Sequence, residues 1–142
     1  MKKDSSFTLS FLDHVALRVK DVTLSAEWYQ KVLGLQKYQV PEWGEYPIFL
    51  LSGKSGLALF PAKIDDPALD FNSRNVKIDH FAFHVTMENF EKAKIRYGEL
   101  GLEFQERDHH YFRSIYTKDL DGHVLELTAL VVDEKDFYKL PL

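Results

Sequence analysis

Hydrophobic and polar residues alternate along residues 11–19, which is the period of a strand with two different faces. Val15, Leu17 and Val19 share one face, and His14 lies on the other. The apolar face is expected to pack on helices. The opposite face carries small and polar side chains that do not resemble a core, so we expect it to line a cavity.

The next segment changes to the period of a helix. Residues 24–33 carry apolar side chains at helical spacing, between N-cap candidates at residues 21–23 and a C-cap candidate at Gly34. Pro, Gly and Ser turns then separate three strand candidates. These strands are expected near residues 36–40, 46–51 and 56–61. The first part of the chain is thus predicted as strand, helix and three strands.

The same order of elements occurs a second time, and its later strands are expected near residues 102–106, 111–118 and 123–131. Residues 78–85 repeat residues 12–19 position for position at an offset of 66, and the next helix repeats with its Gly-Leu stop at an offset of 67. An internal duplication is the economical interpretation. We predict one domain with four consecutive parts, which are module one (10–61), a polar connection (62–77), module two (78–131) and a charged tail (132–142).

Composition narrows the class of protein. The 142 residues are 45% hydrophobic, which suits a single globular domain. The 18 basic and 22 acidic residues are interspersed, so nucleic acid is not an expected partner. No apolar run approaches the roughly 20 residues of a membrane span, and the N-terminus lacks the apolar segment of a signal peptide, so we expect a cytoplasmic protein without membrane contact. The absence of cysteine leaves His, Asp and Glu as the strong metal ligands.

One carboxylate stands in the middle of an apolar strand. Glu126 lies between Leu125 and Leu127, and a buried carboxylate needs a cation, either arginine or a metal ion. His14 and His80 are equivalent positions of the duplication, and repeated units usually pack about a pseudo-twofold axis that brings equivalents together. We therefore expect both imidazoles to face one cavity.

The two modules open with Leu-Asp-His and Ile-Asp-His, and the second closes with Asp-Gly-His-Val-Leu-Glu-Leu. Together with the duplicated order of elements, these motifs resemble the vicinal oxygen chelate superfamily. The resemblance implies an α+β fold in which two paired βαβββ modules form a curled mixed eight-stranded sheet around a metal cavity, with the helices outside. It implies that His14, His80 and Glu126 ligate a divalent metal. At the fourth family position the chain has Ala58 or Phe60, depending on the alignment, and neither can ligate.

Two histidines and one carboxylate are typical of non-haem iron sites, so Fe(II) is favoured, although Mn(II), Zn(II), Ni(II) and Co(II) accept the same ligands. The segment from His109 to Glu126 is similar to the extradiol dioxygenase signature, with Leu120 in place of its proline. That similarity implies that Tyr116 hydrogen-bonds a substrate oxygen, that His109 lines the oxygen side of the pocket, and that His109 or His84 handles a proton.

We therefore predict a divalent-metal-dependent, extradiol dioxygenase-like enzyme whose small substrate binds through neighbouring oxygens. A glyoxalase-type lyase or isomerase and a fosfomycin-type transferase remain alternatives. A further alternative from another class is a non-enzymatic protein that binds an antibiotic or another small molecule, with Glu126 paired to Arg18 in a metal-free pocket. A homodimer is expected, because family members of this length commonly dimerise.

Overall fold

The computed structural model describes residues 6, 8–63, 65–70, 72–75 and 77–138. The chain divides into two compact units, Met1–Ile64 and Asp65–Leu142. Each unit contains one βαβββ module and its own four-stranded sheet. The prediction of an α+β fold built from two such modules is confirmed, while the grouping of both into one domain stays a prediction.

The first unit follows the predicted order of elements. Its elements are β1 (His14–Val19), α1 (Val22–Leu33), β2 (Gln36–Gln39), a 3-10 turn (Pro41–Trp43), β3 (Ile48–Ser52) and β4 (Ser55–Pro61). The sheet order is β1-β4-β3-β2, with β1 parallel to β4 and the other neighbours antiparallel. The 3-10 turn is an element that the hydrophobic pattern did not predict.

Local chemistry fixes the limits of α1. The side chain of Asp21 accepts a hydrogen bond from the backbone N–H of Leu24 at 2.9 Å, and Gly34 ends the helix in the left-handed conformation with φ of 67°. The helix packs against β3 and β4. On β1, Leu17 and Val19 are buried while His14 is exposed, so the predicted assignment of its two faces is confirmed.

The second unit repeats this plan and adds a short helix. Its elements are β5 (Phe81–His84), α2 (Met87–Glu99), β6 (Gln105–Asp108), β7 (Phe112–Lys118), β8 (Val124–Leu130) and α3 (Glu134–Phe137). The sheet order is β5-β8-β7-β6, again with one parallel pair, β5 and β8. Among the described residues, no helix is long and apolar enough to cross a membrane.

Two segments of the second unit differ from the sequence-based expectation. The strand expected near residues 102–106 begins at Gln105, because Gly101 adopts φ of 69° and the N–H of Leu102 donates back to the carbonyl of Tyr97 at 2.9 Å. The tail forms α3, whose Phe137 packs edge-on against Phe112 with ring centroids 4.7 Å apart. Part of the tail therefore packs against β7.

Candidate metal and substrate site

One row of cross-strand partners organises the candidate site of the second unit. Gln105 pairs with Tyr116, Tyr116 with Glu126, and Glu126 with Ala82, so these residues lie side by side on one face of the sheet. Glu126 is only 7% exposed and Tyr116 is half-buried. His80 immediately precedes β5 and approaches this row beside Ala82. The carboxylate that the sequence predicted in the middle of an apolar strand is therefore buried in this row.

Glu126 has His80 as its direct partner. The distance from His80 Nε2 to Glu126 Oε1 is 3.0 Å, with the two side chains 35% and 10% exposed. Two donor atoms that each lie about 2.1 Å from a small cation, at a right angle, are roughly 3 Å apart. His80 Nε2 and Glu126 Oε1 therefore have the spacing of two adjacent ligands of one metal ion. The same distance also suits an ion pair between the Glu126 carboxylate and a protonated imidazole.

The other ring nitrogen of His80 is held by the preceding residue. His80 Nδ1 lies 2.8 Å from Asp79 Oδ2, and in the first unit His14 Nδ1 lies 2.7 Å from Asp13 Oδ2. When Nδ1–H donates to the carboxylate, Nε2 carries the lone pair that a metal requires. The same hydrogen bond from His80 is the main reason that the pKa of Asp79 is lowered. The two aspartates are functional candidates that the sequence pattern did not indicate, although each stands directly before a repeated histidine.

Tyr116 and His109 meet on the same face as Glu126. The distance from His109 Nε2 to the Tyr116 hydroxyl is 2.8 Å, and the Tyr116 ring stands edge-on to His80 with centroids 5.6 Å apart. Burial raises the pKa of Tyr116, and the negative charge of Glu126 raises it further. The phenol is thus held neutral as a hydrogen-bond donor, and the structure brings together four of the predicted site residues.

The register also decides between the two alignments of the fourth position. In the second unit Ala82 pairs with Glu126, and in the first unit its equivalent Ala16 pairs with Ala58. Ala58 is therefore the counterpart of Glu126, and it has no donor atom. Phe60 lies two residues further along β4 and carries the guanidinium of Arg18 over its ring at 5.2 Å. The conclusion that module one supplies no carboxylate at this position holds.

The remaining predicted residues, His84 and His14, have other immediate neighbours. His84 is exposed at the end of β5 and pairs with Thr128. His14 belongs to the first unit, where its ring stands edge-on to Phe49 with centroids 5.5 Å apart. In the described parts of the chain, no group of three or more His, Cys, Asp or Glu side chains is close enough together to hold a metal ion. The role of His14 as a third ligand stays a prediction.

An open groove of about 1050 Å³ has Tyr116 among its lining residues. Its lining residues come from the loop after α2, from the starts of β6 and β8, and from the end of β7. They are Gly101, Leu102, Glu103, Phe104, Gln105, Tyr116, Thr117, Lys118 and Val124. The groove is large enough for a small molecule, and Tyr116 lines it, whereas Glu126 and His109 are not among its lining residues.

Comparison with known proteins identifies the family. The model of the Glyoxalase/Bleomycin resistance protein/Dioxygenase superfamily matches residues 11–127. The chain belongs to this superfamily. The predicted resemblance is therefore confirmed over nearly the whole span of the two modules.

Within the superfamily, the similar characterised proteins include two types of transferase. The metallothiol transferase FosB of Staphylococcus epidermidis is 30% identical over 132 residues, which cover 90% of each chain. The glutathione transferase FosA of Serratia marcescens is 29% identical over 119 residues, covering 84% of this chain and 80% of FosA. Both relatives are named as enzymes that transfer a group to or from a thiol.

Similar solved structures confirm the fold. A glyoxalase/dioxygenase from Nostoc punctiforme has a TM-score of 0.73 at 20% identity, covering 91% of this chain and all of that one. The fosfomycin resistance protein FosX of Listeria monocytogenes, in a variant complexed with Mn(II) and 1S,2S-dihydroxypropylphosphonic acid, has a TM-score of 0.65 at 23% identity, covering 91% and 98%. At these identities the likeness concerns the fold of the superfamily alone.

Proposed function

We propose that the chain is a divalent-metal-dependent transferase that adds a thiol to a small substrate bound through neighbouring oxygens. The observation that carries the proposal is the buried Glu126 carboxylate held 3.0 Å from His80 Nε2, with Asp79 fixing the other ring nitrogen. Similarity to a metallothiol transferase along 90% of the chain supports transfer to a thiol over the dioxygenase reaction that the sequence motif favoured.

His80 and Glu126 are the proposed metal ligands, and His14 is the proposed third ligand on the sequence argument. An imidazole nitrogen and a carboxylate oxygen suit Mn(II), Zn(II) and Fe(II) alike, so the donor set fits the implied ion without selecting one. Mn(II) is the first ion to test because it occupies the FosX complex. When bound, the ion supplies Lewis-acid polarisation of a substrate oxygen.

The protein groups around this pair suit addition of a thiol to an epoxide such as fosfomycin. In that reaction a carbon–sulfur bond forms, a carbon–oxygen bond of the ring breaks, and the thiol proton ends on the released oxygen. Tyr116 is a neutral donor placed beside Glu126, so it can hydrogen-bond the oxygen as its negative charge develops. His109, at 2.8 Å from that hydroxyl, can accept the thiol proton and return it to Tyr116, which closes the proton balance.

An extradiol dioxygenase is the second candidate. It is favoured by the contact between His109 and Tyr116, since these are the two residues that the dioxygenase-like motif places in the pocket. In this reaction Tyr116 holds a substrate oxygen and His109 moves a proton. The two candidates differ in their need for oxygen and for a redox-active metal, so one set of assays separates them.

The decisive experiment reconstitutes the purified protein anaerobically with Mn(II), Zn(II) or Fe(II). Fosfomycin with glutathione or another low-molecular-weight thiol is followed by phosphorus NMR, and catechol cleavage is followed by oxygen uptake. Thioether formation with Mn(II) or Zn(II) that is lost in Glu126→Gln and Tyr116→Phe supports the transferase. Oxygen uptake confined to the Fe(II) protein supports the dioxygenase instead.

Tyr111→Phe is the matched control for the tyrosine variant, because Tyr111 is an exposed tyrosine of the same unit that packs on Phe137. It is expected to keep full activity. Tight ligand binding without turnover that persists after the metal is removed would reject both enzymes in favour of a binding protein. The predicted homodimer is tested separately by light scattering, where a monomeric mass at micromolar concentration would contradict it.

A further inference from the structure

The turn between β6 and β7 carries His109 on a strained backbone. The N–H of Tyr111 donates to the carbonyl of His109 at 2.8 Å, and His110 between them has φ of 69°. A hydrogen bond across three residues with a positive central φ belongs to the rare and strained form of the γ-turn. Such strain at a residue other than glycine persists only where surrounding contacts hold it. The turn therefore depends on what packs against it.

Backbone hydrogen bonds join this turn to the start of the C-terminal tail. The N–H of His109 donates to the carbonyl of Phe112, the first residue of β7, at 2.7 Å. The N–H of Val131 donates to the carbonyl of Tyr111 at 3.0 Å. Val131 directly follows β8, and the chain continues from there into α3. The segment that leads into α3 is thus bonded to the turn.

Phe137 of α3 packs against the same turn. Its ring centroid lies 4.7 Å from that of Phe112 and 5.6 Å from that of Tyr111. Phe137 is half-buried, whereas residues 132–136 and 138 are exposed. The ring of Phe137 is therefore the part of α3 that contacts the hairpin most closely, and it touches both residues that follow the strained centre of the turn.

His109 takes its position from this turn. It directly follows β6, its side chain is exposed, and its Nε2 lies 2.8 Å from the Tyr116 hydroxyl. An exposed ring has little packing of its own, so a shift of the turn carries the imidazole away from the phenol. Misplacement of a reacting group by about 1 Å can lower a rate roughly 100-fold.

We propose that Phe137 is a positioning residue, which keeps His109 on Tyr116 by clamping the strained turn. Phe137 acts through Tyr111 and Phe112, and it contacts neither substrate nor metal. The proposal rests on the proposed function for the role of His109 as a proton carrier. The contact between His109 and Tyr116 is a property of the folded chain, so it can be measured without turnover.

Nitrogen NMR of the histidine side chains in the full chain measures that contact directly. The Nε2 signal of His109 is assigned with His109→Gln, and Tyr116→Phe gives its position when the contact is absent. Phe137→Ala is expected to move the signal at least half of the way to this position. Phe137→Leu, which keeps a large apolar side chain, should leave it near the wild type. Adding His110→Gly to Phe137→Ala should restore it, because glycine adopts a positive φ without strain.

Phe83→Ala is the matched control, because it removes a half-buried phenylalanine ring from β5, at the opposite edge of the same sheet. This control should leave the His109 signal unchanged. Tyr111→Ala removes the other side of the Phe137 contact, so it provides a second test if Phe137→Ala folds poorly. A signal that is unchanged in both Phe137→Ala and Tyr111→Ala, or that moves equally in Phe83→Ala, would overturn the clamp.

Thiol addition to fosfomycin by the Mn(II)-loaded protein gives the functional readout. His109→Gln is expected to lower kcat about 100-fold, and Phe137→Ala about tenfold with little change in KM. The double variant should lose no more than His109→Gln alone, because Phe137 acts through His109. Losses that multiply would overturn the clamp while the proposed function stands. A His109 signal that moves in Phe137→Ala, in a protein without thiol-transfer activity, would uphold the clamp while the proposed function fails.

Discussion

Replacing Asp79 by asparagine tests whether the carboxylate beside His80 orients this histidine for metal binding. The substitution keeps the size of the side chain and one oxygen acceptor, but it removes the negative charge that meets His80 Nδ1 at 2.8 Å. Loss of such a supporting partner typically lowers metal affinity 10- to 100-fold. The Asp79 side chain is 81% exposed, so water competes with the hydrogen bond and the lower end of that range, about tenfold, is expected here.

The assay is a titration with Mn(II), followed by paramagnetic resonance of the free ion. Asp133→Asn is the matched control, because Asp133 precedes α3 without a side-chain capping bond. Asp13→Asn is the equivalent change beside His14. It should lower the affinity for Mn(II) by a similar factor if His14 is the third ligand. The orienting role of the carboxylate would be refuted by two results together. These are a Mn(II) affinity of Asp79→Asn within twofold of the wild type and a loss of Mn(II) binding in His80→Ala.

Two further predictions concern stability. Tyr97→Phe should raise the free energy of unfolding by about 1 kcal/mol in urea titration, because the buried Tyr97 hydroxyl has no hydrogen-bond partner among the described residues; a loss of stability would contradict this. Glu106→Gln should lower the free energy of unfolding at pH 7 by up to about 1 kcal/mol, since Lys94 and Arg113 hold the pKa of Glu106 below its ordinary 4.5. That contribution is present above pH 4.5 and is lost as the pH falls through the lowered pKa, so a difference that stays constant in acid would be inconsistent with it.

The fold was predictable because its signals are local and occur twice. Periods of two and of 3.6 residues, together with the cap candidates at residues 21–23 and at Gly34, define β1 and α1 within three residues of their observed limits. Alternation also placed His14 on the face away from the core. Helix α3 was not predictable in this way, because four residues are too few to establish a helical period.

The candidate site was predictable only in part, because alternation gives the face of a strand and not distances across a sheet. Ala58 and Phe60 have the same parity, so only the observed pairing of β1 with β4 separates them. Alternation would also place Asp79 and His80 on opposite faces. Both residues precede β5, where strand alternation does not apply, and their side chains therefore meet.

The measurement that tests the central claim most directly is the stoichiometry and affinity of Mn(II) binding in the wild type, His80→Ala and Glu126→Gln. Glu88→Gln serves as the control, because Glu88 lies on the exposed face of α2 and pairs with Lys92. We predict one ion per chain in the wild type and the control, and at least a hundredfold weaker binding in both site variants. Equal binding in all four proteins would contradict the proposal that His80 and Glu126 form the metal site of a metal-dependent enzyme.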